Sequence, residues 1–377
     1  MKIIDEDGDL FGLVNVVDAL VVLVVLAVAI AGATLVLGAG SEPTDSSGDG
    51  TTPNTTVKYA TLDLGNQPDE IVDGVQTGDE MDLDGPGNLT ITDIQATPVA
   101  GDGDGGDTRM IVRTRLTGTE SGDGFIFGEN RLQLGQSFTV DTVDYSVEGS
   151  IKAIDDEGEA LQINQTPVVV ETELDAATAE AIQVGDEHRV KNETVATIRN
   201  VTAYPISENT RRVLVGLELA TSESGDASTY AGHEVSLGTT VAFRTSDYDL
   251  TGSITRRGST VEPGEQTTTT ATLKLEDISP EFAESLEAGQ TETERNETLA
   301  TIQTVDVQPA DVILKSDDGN IYLRDHPTQK DVTLTVDLAT RQTDSTLRFH
   351  GRPIQEGDTV TLDLPDRTFD SEITDLE

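Results

Sequence analysis

The sequence contains no cysteine and no tryptophan, and aromatic residues make up only 4% of its 377 residues. Without cysteine, disulfide bonds and thiolate metal sites are excluded. With so few aromatic side chains, the interior must be built mainly from valine, leucine and isoleucine. We therefore expect several modest hydrophobic cores rather than a single large one.

Positive charge is also scarce, because 24 Lys and Arg residues face 70 Asp and Glu residues, which leaves a formal net charge of −46. No basic patch is available to neutralise phosphates, so nucleic acid is not expected as a partner. Such a chain repels itself at a Debye length of roughly 8 Å, whereas molar salt shortens that length to about 3 Å. Acid spread along the whole chain therefore indicates an extreme halophile rather than one acidic partner-binding surface.

Motifs for catalysis and for cofactor or metal binding are missing as well. No nucleophile elbow, P-loop or dinucleotide fingerprint is present. The acidic segments 5–9 and 101–107 lack the Gly and Glu spacing of an EF-hand and are interpreted as solvated loops. The four histidines are not spaced as ligands of a zinc or diiron site; they are His188, His233, His326 and His350. We expect no enzyme activity and no cofactor, and an active site built from ordinary carboxylates is the least favoured alternative.

One long uncharged run stands out near the beginning of the sequence. Residues 19–40 would form roughly 33 Å of helix, enough to cross a bilayer core of about 30 Å. A cleaved signal peptide would instead need a basic n-region and a shorter apolar core. We predict a cytoplasmic segment at 1–18, a transmembrane helix at 19–40 and a flexible stalk at 41–57. Lys2 favours this orientation, which places the remaining domains outside the cell.

The rest of the chain repeats with a fixed period. The segment that begins at Asn192 recurs from Asn296 and, more loosely, from Asn88, each 104 residues apart. Each copy is an Asn-x-Thr sequon followed by β-branched residues, which predicts a surface turn that leads into a strand. The predicted fold is mainly β: one transmembrane helix followed by three tandem repeats of a small β-barrel or sandwich-like domain. The repeats are predicted at 58–160, 161–265 and 266–377.

Smaller features recur within the repeats. Short helices are predicted at 176–183 and 280–287, the second with Ser279 as N-cap and Pro280 at its first position. Tyr145 and Tyr248 occupy equivalent positions and are interpreted as strand aromatics beside a tight turn. The third repeat places Phe369 there instead and carries an insertion at 311–325.

Six Asn-x-Thr sequons follow the apolar run, and they are candidate N-glycosylation sites. Their position after the predicted membrane helix agrees with an extracellular location. They are Asn54, Asn88, Asn164, Asn192, Asn200 and Asn296.

The opening segment resembles an uncharacterised membrane-anchored family, domain of unknown function 4330. Members of that family typically begin with an acidic, Gly-containing Leu-Phe-Gly-x-(Ile/Val)-Asn pattern that continues into one membrane helix. The departures are Asp9 and Leu13, where a basic residue is usual in the family. The resemblance implies an anchor and an envelope location, and no known activity. The matching residues are Asp5, Gly8, Leu10, Phe11, Gly12, Asn15 and Asp18.

The favoured hypothesis is therefore a single-pass, non-enzymatic envelope protein that displays three extracellular β domains in a structural, binding or assembly role. Its partners would be the lipid bilayer, an unidentified protein and, as a further alternative, a second copy of the chain. Two other hypotheses remain open. One is an accessory component of an envelope transport or lipid-transfer complex, and the other is a pilin-like filament subunit.

Overall fold

The computed structural model describes residues 9–10, 14–15, 55–82, 87–100, 108–122, 124–224, 227–315 and 321–377. The chain divides into two units, Met1–Pro53 and Asn54–Glu377. In the first, strands β1 (Asp9–Leu10) and β2 (Val14–Asn15) pair antiparallel. The predicted membrane helix at 19–40 lies outside the described residues, and the helices that are described are all too short to cross a membrane.

The second unit contains three antiparallel sheets with the same order of elements. The first sheet and its helix comprise β3 (Thr55–Gln67), α1 (Asp69–Gly74), β4 (Glu80–Asp82), β5 (Asn88–Pro98), β6 (Thr108–Ser121), β7 (Gly124–Phe127), β8 (Asn130–Arg131), β9 (Ser137–Asp141) and β10 (Ser146–Asp155). The second sheet and its helix comprise β11 (Ile163–Asp175), α2 (Ala176–Ala181), β12 (Glu187–Val190), β13 (Glu193–Ser207), β14 (Thr210–Ser224), β15 (Ala227–Tyr230), β16 (His233–Glu234), β17 (Thr240–Arg244) and β18 (Asp249–Arg257). The third sheet and its helix comprise β19 (Glu265–Ile278), α3 (Pro280–Glu284), β20 (Thr291–Glu294), β21 (Glu297–Lys315), β22 (Ile321–Gln342), β23 (Leu347–Phe349), β24 (Arg352–Pro353), β25 (Thr359–Leu364) and β26 (Arg367–Leu376).

Each sheet has eight strands, six of them in the order β4-β5-β6-β3-β10-β9 or its equivalent, with a two-strand hairpin attached to β6, β14 or β22. The prediction of a mainly β protein with three repeats is confirmed. Each repeat is one curled sheet, a half-barrel. In the second and third repeats the two edge strands approach each other without forming a backbone ladder.

The core of each repeat lies on the concave face of its sheet. In β14 the alternate residues Val213, Val215, Leu217 and Leu219 are fully buried, as strand geometry requires of side chains on one face. Each such side chain contributes about 1.5–3 kcal/mol by leaving water. One main cluster lies in each repeat, and a smaller fourth cluster joins Val169, Tyr204 and Leu214 of the second repeat to Leu299 of the third, so the expectation of several modest cores is confirmed.

A short helix follows the first strand of every repeat. The predicted helices of the second and third repeats are confirmed, and the Ser279 hydroxyl accepts a hydrogen bond from the backbone N–H of Phe282 at 3.2 Å, as an N-cap should. The helix α1 of the first repeat was not predicted. Its N-cap is Pro68, which makes no side-chain capping bond, so the usual sequence signal is missing.

The two halves of each repeat also resemble each other in structure, and this was not evident from the sequence. A glycine turn precedes the outer strand pair in both halves, and in all six the glycine N–H donates to an isoleucine carbonyl at 2.7–2.8 Å. The turns were evident from the sequence, but the equivalence of the two turns within a repeat was not, because the number of residues between them differs from one repeat to the next. The six glycines are Gly78, Gly135, Gly185, Gly238, Gly289 and Gly357.

The two equivalent tyrosines stabilise these turns. The Tyr145 hydroxyl donates to Asp79 Oδ2 at 2.7 Å, and the Tyr248 hydroxyl donates to Asp186 Oδ2 at 2.5 Å. Burial, together with the nearby carboxylate, raises the pKa of both hydroxyls, so they stay protonated. The expectation that Phe369 replaces the tyrosine in the third repeat is wrong: Phe369 pairs with Leu362 as Val147 pairs with Val140, and its ring packs edge-on against that of Phe282 in α3, with centroids 5.5 Å apart.

Candidate functional site

The most distinctive polar contacts of the described residues lie at the two junctions between repeats. Each junction begins at a two-residue hairpin turn, Lys191-Asn192 before β13 and Arg295-Asn296 before β21. All four turn residues have positive φ, between 49° and 67°. This geometry matches the type I′ turn that suits the twist of a two-stranded hairpin, and asparagine tolerates it well.

At the second junction, the turn directs a guanidinium onto the end of the preceding helix. Arg295 Nη1 donates to the carbonyl of Ala179 at 2.8 Å, and Nη2 donates to the carbonyl of Ile182 at 2.7 Å. Carbonyls at a helix C-terminus lack intrahelical partners and carry partial negative charge. We call Arg295 the capping cation of this junction, because it satisfies two of them at once.

The first junction has the same design with a different cation. Lys191 Nζ donates to the carbonyls of Val72 and Val75 at the end of α1, the latter at 2.6 Å. Lys191 and Arg295 are separated by the same 104 residues as the sequons. The corresponding β4–β5 turn of the first repeat, residues 83–87, contains no Lys or Arg, so the first repeat has no corresponding cation.

In the second and third repeats, a second hairpin contacts the preceding repeat. The β15–β16 turn at Gly232 approaches so closely that a Cβ there would lie 2.8 Å from Arg109 Nε of the first repeat. The β23–β24 turn contacts the second repeat, where Arg212 donates to the carbonyl of His350 at 3.2 Å and the rings of Tyr204 and His350 stack 5.4 Å apart. Each junction therefore has two contacts of different chemistry.

In the first two half-barrels, one buried side chain bridges the two edge strands. In the first repeat the sulfur of Met81 accepts from the backbone N–H of Asp141 at 3.2 Å. In the second, His188 Nδ1 accepts from the backbone N–H of Arg244 at 3.0 Å. Burial, with a smaller contribution from the Arg244 charge, lowers the pKa of His188 to about 4, so its imidazole is neutral at pH 7.

The third repeat places a carboxylate at this bridging position. Glu292 is 1% exposed, and its Oε1 lies 3.0 Å from Nε2 of the buried His350. Burial raises the pKa of Glu292, and the facing His350 imidazole and Asp363 backbone amide oppose that shift. An ionisable pair thus occupies the place that an apolar methionine fills in the first repeat.

Further ion pairs surround the second junction. Arg211 joins Glu294 at 3.0 Å and Asp363 at 3.1 Å, and so links the second repeat to two strands of the third. Glu262, 3% exposed, accepts from the Tyr204 hydroxyl at 2.6 Å and lies 3.2 Å from Arg341 Nε. These partly buried contacts persist in molar salt better than surface pairs, because water and ions reach them poorly.

Clefts open beside both junctions. One, of about 840 Å³, lies between the second and third repeats and is lined by both charge signs, including Arg211, Arg367 and Asp363. A cleft of about 410 Å³ adjoins His350, and one of about 270 Å³ adjoins His188. Mixed polar walls of this kind suit a solvated interaction surface better than an apolar ligand pocket.

One family model, described as a domain of unknown function (DUF4330), matches residues 1–155 and 255–377, well over half of the chain. The chain belongs to this family. The resemblance of the opening segment to this DUF4330 family is thereby confirmed. The unmatched residues 156–254 contain the second sheet almost completely. Neither a curated protein nor a solved structure matches the DUF4330 chain.

The structure separates the candidate glycosylation sites of this DUF4330 protein into two groups. Asn192 and Asn296 lie in exposed junction turns beside the capping cations, and Asn164 is exposed on β11. Asn88 and Asn200 are half-buried within strands. Asn54 lies outside the described residues.

The histidines fall at separate places in the DUF4330 fold. His188 and His350 belong to the first and second junctions, His233 is exposed on β16, and His326 lies on β22. Among the described residues, no group of three or more His, Asp or Glu side chains is arranged to hold a metal ion. Sequence reasoning missed the junctions, although two cations one period apart in so acidic a chain were the available signal.

Proposed function

We propose that this chain is a single-pass, membrane-anchored cell-envelope protein of a halophile, which displays three β repeats outside the cell as a non-catalytic structural or binding scaffold. The observation that favours a scaffold is the duplicated junction. Both junctions hold a helix end of one repeat with a cation from the next, Lys191 or Arg295. Such contacts fix neighbouring repeats relative to one another, as an extended binding surface requires.

The anchoring part of the proposal depends on the sequence. The uncharged run at 19–40 is long enough to span a bilayer, and the following Ser, Thr and Gly-rich segment suits a stalk. The net charge of −46 suits a surface that meets molar salt. The exposed sequons at Asn192 and Asn296 would be accessible to a glycosylation machinery outside the cell.

Topology can be tested in a halophilic host with an epitope tag at the C-terminus. We expect the full chain to sediment with membranes and to lose its tag when protease is added to intact cells. A variant that lacks residues 19–40 should leave the membrane fraction. A tag that stays protected in intact cells would refute the extracellular location.

The scaffold role needs a separate test. In a deletion strain that shows an envelope defect at lowered salinity, the wild-type chain should restore integrity and Arg295→Ala should not. Arg199→Ala is the matched control, since that exposed arginine pairs with Glu218 within one repeat, and it should restore integrity fully. Full complementation by Arg295→Ala at equal abundance would contradict the scaffold.

A further inference from the structure

The third repeat carries a strand extension that is absent from the described residues of the other two. Strand β21 continues to Lys315 and β22 starts at Ile321, so residues 311–315 pair with residues 321–325 as a two-stranded ribbon beyond the sheet. The equivalent strands of the first and second repeats end at Pro98 and Ser207. We call the paired residues 311–315 and 321–325 the arm.

The arm exposes large apolar side chains in a strongly acidic protein. Ile313, Ile321 and Leu323 are 70%, 71% and 63% exposed, and Tyr322 is 46% exposed. Ile313 and Leu323 are direct cross-strand partners, so they form one continuous apolar spot. Single exposed apolar residues are common, but a cluster of them marks an interaction surface.

The backbone of the arm is also open to pairing. On its outer side, β21 pairs with β20 only at residues 297–301. On the opposite side, β19 joins β22 only from Lys330 onward. Within the described part of the chain, both outer edges of the arm therefore lack a strand partner. Such edges add a further strand readily, and natural proteins usually protect them.

The sequence of the β21 edge is complementary to itself. When two copies of Asp-Val-Ile-Leu-Lys, residues 311–315, are placed antiparallel about Ile313, Asp311 faces Lys315 twice and Val312 faces Leu314 twice. The β22 edge, centred on Leu323, would instead place the apolar Ile321 opposite Asp325. Opposite charges directly across an antiparallel pair stabilise it, and the first edge provides them.

We propose that a second copy of this chain docks on the arm, edge to edge along residues 311–315, to form a four-stranded sheet with a two-fold axis at Ile313. The contact is isologous, since each copy supplies the same strand. This pairing does not depend on where the chain is displayed. It favours a second copy over a lipid surface, because it uses both the open edge and the charge pattern.

The contact is small. Two five-residue strands bury much less than the roughly 1,200 Å² of a stable interface, so a weak dimer is expected, with a dissociation constant of about micromolar to millimolar. Copies that share one membrane surface would associate more readily, because their effective concentration is raised.

The absence of cysteine permits a sharp test on the full chain in detergent and molar KCl. Residues directly opposite in an antiparallel pair have Cα atoms about 4.5–5.5 Å apart, within the range that a disulfide spans. We expect Ile313→Cys to form a disulfide-linked dimer under mild oxidation. The matched control is Val307→Cys, which lies on the same strand, is 42% exposed, and would be about 40 Å from its counterpart in the dimer.

Charge reversal separates this pairing from non-specific association. We expect Asp311→Lys and Lys315→Asp each to weaken dimerisation about tenfold in analytical ultracentrifugation, and the double variant to restore it. Ile313→Asp should leave a folded monomer, since the arm lies outside the three cores. The proposal is overturned if the chain stays monomeric at millimolar concentration, if Val307→Cys crosslinks equally, or if a dimer survives Ile313→Asp. Monomers that bind neutral liposomes through Ile313 would also overturn it, in favour of a lipid surface.

Discussion

Replacement of the capping cation Arg295 by alanine should uncouple the third repeat from the second. The guanidinium donates two hydrogen bonds of 2.7 and 2.8 Å to the end of α2. Hydrogen bonds from charged groups contribute about 1.5–3 kcal/mol each, and a cation at a helix C-terminus adds about 0.3–1 kcal/mol. Since water can replace part of these contacts in the variant, we expect Arg295→Ala to cost about 2–4 kcal/mol.

The measurement is denaturant unfolding in molar KCl, with limited proteolysis as a second probe. We expect a lower midpoint and, because the third repeat has its own core, a separate early transition with a smaller dependence on denaturant. Arg295→Lys should retain about half of the stabilisation, since Lys191 serves the first junction as an ammonium.

Arg199→Ala provides the control for loss of an exposed arginine. Its partner Glu218 lies within the same repeat, and the side chain of Arg199 is 52% exposed, so the expected cost is at most about 1 kcal/mol. If Arg295→Ala loses no more stability than Arg199→Ala, or if its unfolding stays a single unchanged transition, the assigned role of the capping cation is wrong.

Three further predictions concern the interior. The folded pKa of His188, about 4, lies below its usual value of 6.5, so the unfolded chain binds the proton first as the pH falls. We expect about 3 kcal/mol of stability to be lost between about pH 6.5 and pH 4 and His188→Gln to flatten this part of the profile, as measured by unfolding at several pH values; an unchanged profile would contradict it. Tyr248→Phe should cost about 1–3 kcal/mol in denaturant unfolding, because Asp186 loses its hydroxyl donor, and a neutral effect would show that water replaces the bond. Gly216→Ala should cost about 3 kcal/mol or more, or abolish folding, since its Cβ would lie 1.9 Å from the carbonyl oxygen of Thr260; unfolding at the wild-type midpoint would refute this close approach.

The repeat could be predicted from the sequence because its strands keep their alternation. The sequon strands from Asn192 and Asn296 and the Val213–Leu219 strand have the period-two pattern that fixes one buried face. The helix α1 escaped prediction because Pro68 gives none of the side-chain capping that marks Ser279. Elements that carry a local sequence signal could therefore be predicted, and α1, which lacks one, could not.

The junctions could not be predicted by the same reasoning, because they depend on contacts across more than one hundred residues. Nothing local distinguishes Arg295 from a solvated turn residue, and its partner carbonyls belong to a helix 113–116 residues earlier. Likewise, Met81, His188 and Glu292 occupy equivalent places with unrelated chemistry, so no residue type marks the bridging position. Burial of Glu292 beside His350 depends on the β23–β24 turn, which brings His350 to strand β20 from a distant part of the sequence.

The interchangeable helix ends have a consequence for how chains of this kind vary in length. Ala179 and Ile182 present to Arg295 the same carbonyls that Val72 and Val75 present to Lys191. A genetic event that removed one whole period from the middle would therefore bring Arg295 onto the end of α1 and leave a complete junction. The family match leaves residues 156–254 uncovered, a segment close to one whole repeat.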